Sequence, residues 1–130
     1  MKTFLTTITF FVITLTISVY GQTKENDLPD EYIGGWAVTP EQCEVSSLLN
    51  ISRENDKLEV YGYEWRSDEA KVTQDKDYYV LLIKASNMDG NWEMNLRIKI
   101  DGENLILDNE SFQIIGGGEP SDINKLIRCK

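Results

Sequence analysis

Tyr61, Tyr63 and Trp65 stand two residues apart in "LEVYGYEWRSDE" (Leu58–Glu69), and they are the side chains best suited to recognition chemistry in this chain. A strand places residues i, i+2 and i+4 on one face. Such a row can stack on a sugar ring, wall a ligand cup or fill a core. The aliphatic Leu58 and Val60 alternate with the rings, so a regular strand sends Leu58, Val60 and Gly62 one way and Glu59, Tyr61, Tyr63 and Trp65 the other. A bulge at Gly62 would instead turn Tyr63 and Trp65 inward and leave Tyr61 outside. Core packing of at least one ring is the first expectation, because buried Trp and Tyr are common; exposure of all three would mark a recognition surface.

Catalytic chemistry finds little support. The chain has no histidine, which removes Ser-His-Asp and Cys-His catalysis, His-ligated zinc and His-based pH switching. The 22 acidic residues offer carboxylate pairs by chance, as a glycosidase would need, but no segment suggests a substrate cleft. "DKD" (Asp75–Asp77) lacks the spacing of a calcium loop. "GGGEPSD" (Gly116–Asp122) is followed by neither a helix signal nor the Lys-Ser/Thr pair of a phosphate loop, and reads as a flexible surface loop. No enzyme, cofactor or metal is expected.

The first 21 residues read as a cleavable export signal. Lys2 precedes the apolar run Phe4–Val19, and "VYG" (Val19–Gly21) supplies small residues at the −3 and −1 positions. Removal leaves 109 residues: a polar lead-in over 22–31 and one domain over 32–130. That remainder has 12 basic and 22 acidic residues, a formal charge of −10. Such a surface disfavours nucleic acid and anionic headgroups and suits a cationic partner. A monomer, periplasmic or extracellular and free of the membrane after cleavage, is expected. The two cysteines, Cys43 and Cys129, read in an exported chain as one disulfide. Asn50 and Asn109 head N-glycosylation patterns; Asn109, beside an expected turn, is the better acceptor in a eukaryotic source.

These features must be carried by strands. "NWEMNLRIKI" (Asn91–Ile100) alternates without a break between Asp89-Gly90 and Asp101-Gly102, both hairpin signals. Strands are also expected at Tyr32–Val38, Ser47–Arg53, Leu58–Arg66, Glu69–Gln74, Tyr78–Met88, Asn104–Asn109, Ser111–Gly116 and Asn124–Cys129, with one helical turn capped by Thr39 at Pro40. Eight or nine short strands with short connections give an all-β fold: an antiparallel up-and-down meander closing into a small barrel, with a β-sandwich as the alternative.

"GGWA" followed by Cys43, with "IRC" at Ile127–Cys129, resembles a group of small exported bacterial proteins that open on Gly-x-Trp and end in Arg-Cys. "LLNISRENDKLEVYGYE" (Leu48–Glu64) matches the pattern between those ends, while the group's frequent second cysteine pair is missing. The resemblance implies a compact exported β-domain and no activity. Gly34-Gly35-Trp36 is also similar to the first strand of lipocalin-type barrels, in which an arginine packs over the tryptophan. That likeness implies Arg128 on Trp36, closing the barrel base. Short strands favour a filled barrel over an open cup; a cup would have to be lined by Trp92, Met94 and nearby aromatics. The expected function is non-catalytic binding of a small ligand or a macromolecular partner. The alternative is a protein inhibitor of a secreted hydrolase such as lysozyme, with Gly116–Asp122 as the inserted loop.

Overall fold

The computed structural model describes residues 27–67, 69–122 and 124–130, so the expected export signal over 1–21 lies outside the described residues. A single 3-10 turn (Asp30–Tyr32) leads into β1 (Gly34–Ala37), α1 (Pro40–Val45), β2 (Leu49–Glu54), β3 (Lys57–Gly62), β4 (Trp65–Ser67), β5 (Ala70–Asp75), β6 (Tyr78–Asn87), β7 (Gly90–Asp101), β8 (Asn104–Leu107), α2 (Asn109–Ile114) and β9 (Lys125–Arg128). All strand pairs are antiparallel, in the order β4-β3-β2-β1-β9-β8-β7-β6. A bridge between Arg66 of β4 and Ser86 of β6 closes this ring of eight, which removes the sandwich alternative. β5 lies outside the ring and pairs with β6 alone, from Ala70–Ile83 to Asp75–Tyr78. Between Ala70–Ile83 and Arg66–Ser86 the register slips by one residue. Such a slip is the mark of a bulge, and β5 still faces the core through buried Ala70 and Val72.

Alternation decides what fills the ring. Met94, Leu96 and Ile98 of β7 are buried, as are Leu81 and Ile83 of β6, Leu58 and Val60 of β3, Leu49 and Ile51 of β2, and Leu126 of β9. They form one core cluster with Trp36. The interior is filled by side chains, as the strand lengths suggested.

Two expected strands are corrected. Leu58–Arg66 is not continuous: it folds into a hairpin with Tyr63–Glu64 as its turn and Gly62 paired to Trp65. Glu64 adopts φ +63°, a left-handed conformation unusual for glutamate and invisible to a search for Gly or Asn. Ser111–Gly116 is helical instead of extended. Asp108 caps α2 by accepting from the Ser111 amide at 2.8 Å. The buried Ser111 hydroxyl then accepts from the Arg97 amide at 2.8 Å. β8 accompanies β7 only over Ile98–Asp101, so α2 covers backbone that has no strand beside it. The helix ends in a Schellman motif: the Gly116 amide donates to Gln113 and the Gly117 amide to Phe112, with Gly116 at φ +83°. The first of the three glycines is thus a helix stop.

α1 forms as expected, with Thr39 accepting from the Gln42 amide at 3.2 Å and Gln42 reaching back to the Val38 amide at 2.8 Å. On the outer surface Arg97 joins separate elements, donating to Asp75 of β5 at 2.5 Å and lying 3.4 Å from Asp108. The hydrogen bond to Asp75 raises its pKa further above the ordinary arginine value.

Candidate functional site: the open mouth of the barrel

The two ends of the barrel differ, and the closed end is built from the residues the lipocalin likeness singled out. Residues 28–33 cross it as a lid. The Trp36 indole donates to the Tyr32 carbonyl at 3.0 Å. The Arg128 guanidinium lies 4.3 Å from the Trp36 ring centre, donates to the Ile33 carbonyl at 2.7 Å and also reaches the Glu31 carbonyl. A cation held over an indole ring by carbonyls is a favourable cation–π geometry. Gly34 permits it: at φ +139°, a Cβ there would sit 2.8 Å from the Arg128 Nη1. On the other flank Arg53 pairs with Asp30 at 2.6 Å and donates to the Leu28 carbonyl, which fixes a fully buried Leu28. The Tyr32 hydroxyl accepts from the Ile100 amide at 3.0 Å, and its ring meets Tyr79 edge-on at 5.2 Å. Desolvation is the main cause that raises the Tyr32 pKa above its ordinary value, against an opposing hydrogen bond from Ile100. Cys43 and Cys129 form the expected disulfide, Cα atoms 5.4 Å apart, just past the point where the Cys129 amide donates to Gly35.

At the other end, the hairpin turns Tyr63–Glu64 and Met88–Asp89 point away from the lid. The aromatic row is split there among three environments. Tyr61 pairs with Arg66 on the outer face and is exposed. Tyr63 occupies the turn and is 67% exposed. Trp65 pairs with Gly62 on the core side and packs partly buried against the core cluster. Its ring lies so close over Gly62 that a Cβ there would fall 2.3 Å from the indole Nε1. Neither the outward row nor the Gly62 bulge describes this arrangement, which follows from the turn at Tyr63–Glu64.

Two clefts flank the hairpin, and Trp65 lines both. The larger, about 890 Å³, lies on the outer flank between Ser52, Glu59, Tyr61 and Arg66 on one side and Ser86–Asp89 on the other. The smaller, about 560 Å³, lies over the mouth, where Tyr63 and Trp65 face Val45, Leu48, Ile114 and Ile115, with Gly116 at its rim. The exposed apolar side chains gather at this end. Val45 and Met88 are 90% and 103% exposed, and Tyr63, Ile114 and Trp92 are also uncovered. Trp92 pairs with Ala85 on the inward side of the hairpin but emerges from the mouth, whereas Met94 below it is buried. They line no interior cup.

Val45 and Met88 were not singled out by their sequence context, since each is a lone apolar residue in a polar segment at a helix end or turn. Ile114 was hidden in the apolar run around Phe112 and Ile115. The loop Gly116–Asp122 leaves α2 beside the smaller cleft and is anchored at its far end, where the Ser121 amide donates to Asn124 at 2.9 Å and Asn124 donates to Asn109 at 2.6 Å. That bond engages the side chain of the Asn109 glycosylation pattern. Among the described residues no group of three or more His, Cys, Asp and Glu side chains could hold a metal ion, and no helix is long and apolar enough to cross a membrane. No family model matches the chain, and neither a curated protein nor a solved structure matches it.

Proposed function

We propose that this chain is a non-catalytic exported binding protein that engages a macromolecular partner with the open end of its barrel. One observation carries the reading: the interior holds one cluster of buried apolar side chains, while exposed rings and aliphatics collect around Trp65 at one end. Large apolar side chains exposed together are a signature of recognition surfaces. The disulfide is consistent with export, since such bonds persist in oxidising compartments. The missing histidine agrees with binding in place of catalysis.

Retention of partners from the secreted fraction of the source cells tests it. Wild-type protein should hold a partner that Trp65→Ala and Tyr63→Ser release. Leu82→Ser, an exposed apolar site on the flank, should retain it. Equal retention by all variants removes the reading.

Inhibition of a secreted hydrolase is a second form of the same surface. It is favoured by the Gly116–Asp122 loop at the rim of the smaller cleft and by the acidic charge of the chain. An inhibitor of this kind should slow a basic secreted hydrolase such as lysozyme, and shortening the loop should abolish that effect. Full hydrolase activity in the presence of excess protein would exclude it for that enzyme.

A further inference from the structure

The larger cleft has a chemistry of its own, and naming its occupant rests on the reading of the open end as a binding surface. Its floor is the outer face of the β2, β3 and β4 strands. There Glu59 lies 3.8 Å from Arg66, so those two charges largely offset each other. Glu64 on one hairpin turn and Asp89 on the other line the rim. Neither forms an ion pair among the described residues. The site therefore presents two uncommitted carboxylates around an exposed tyrosine ring, the Trp65 indole and a fully exposed methionine.

Lysine and arginine answer all of these features at once. Their methylene stems pack on apolar and thioether surface, while their charged heads stay near carboxylates and aromatic faces. An anionic group would meet the unpaired carboxylates. A metal ion would need a tighter ligand cluster than the described residues provide. Over longer range, the net charge of −9 draws basic partners toward the chain. A volume of about 890 Å³ exceeds one side chain and suits a short extended stretch. We propose that the cleft between the two hairpin turns receives a lysine- or arginine-bearing extended segment of a basic protein.

Titration of isotope-labelled protein with a blocked peptide of alternating lysine and leucine tests this by amide shifts. A counterpart with glutamate in place of lysine serves as the charge control. The lysine peptide should shift Tyr61, Glu64, Met88, Asp89 and the Trp65 indole, and its affinity should fall as salt rises to about 0.15 M. Glu64→Gln with Asp89→Asn should weaken it about five- to tenfold, with the rest of the spectrum unchanged to show an intact fold. Equal shifts from the glutamate peptide, an undiminished response in the double variant, or no shifts in the cleft would each overturn the proposal. The Trp65→Ala and Tyr63→Ser retention experiment reads the binding surface separately. Partner loss there, combined with peptide indifference here, would sink the basic-segment inference alone.

Discussion

Arg128 and Trp65 sit at opposite ends of one barrel, and each packs hard against a glycine. At the closed end Gly34 lets the exposed Arg128 guanidinium reach the Ile33 and Glu31 carbonyls and cover the fully buried Trp36, whose indole is itself hydrogen-bonded. At the open end Gly62 lets the Trp65 indole lie close over the sheet, yet the ring stays only partly buried beside exposed Tyr63, Val45 and Met88. The same local device thus serves two purposes. Where it is sealed by a lid it stabilises; where it is left open it offers a surface. Stability and recognition should therefore separate by end.

The largest expected effect is at the closed end. Trp36→Ala empties a fully buried site and removes an indole hydrogen bond, for about 3–5 kcal/mol lost. Chemical denaturation should show it as a large fall in midpoint. Reducing the Cys43–Cys129 bond, or replacing both cysteines with serine, should cost about 4–5 kcal/mol on a chain-entropy account, because the bond spans 86 residues. A shift well below this would mean that the unfolded chain is already compact. Arg128→Met keeps much of the stem but frees two lid carbonyls, and should cost about 1–3 kcal/mol. Equal sensitivity of the two ends to these changes would break the comparison.

Gly62→Ala sharpens the contrast. Its Cβ must displace the Trp65 ring, so partner retention and the local Trp65 environment should change more than stability does, the latter by about 1 kcal/mol. Met88→Ser and Val45→Ser should stay within about 0.5 kcal/mol of wild type while weakening retention. The smallest effect concerns pH. Because burial raises the Tyr32 pKa in the fold, its contribution is complete below the unfolded tyrosine value of about 10 and is lost as pH rises through the folded value. Tyr32→Phe should flatten that alkaline decline.

The legible parts of the sequence were those governed by neighbours. β7 could be read residue by residue, because alternation between two Gly-containing hairpin signals is a local property. The Thr39 cap and the cysteine pair were readable for similar reasons. Two elements resisted. "SFQIIG" alternates over too short a span to separate strand from helix, and its real signals were Asp108 three residues before Ser111 and the glycine that stops the helix. The turn at Tyr63–Glu64 carries no turn residue, so an unbroken strand was the natural reading. The open end was least visible. Val45, Trp65, Met88 and Ile114 come from four separate elements, and only closure of the barrel makes them neighbours.

Cys43 and Cys129 also bracket the chain in a topological sense. Every hairpin turn from Asn55 onward, both mouth turns and the Gly116–Asp122 loop fall between them. A single proteolytic cut at any of these exposed tips leaves two fragments still joined covalently, and the barrel contacts hold them in register. In a compartment with secreted proteases, the mouth can thus be nicked at its rim without the molecule coming apart. Electrophoresis with and without reductant would show one band becoming two.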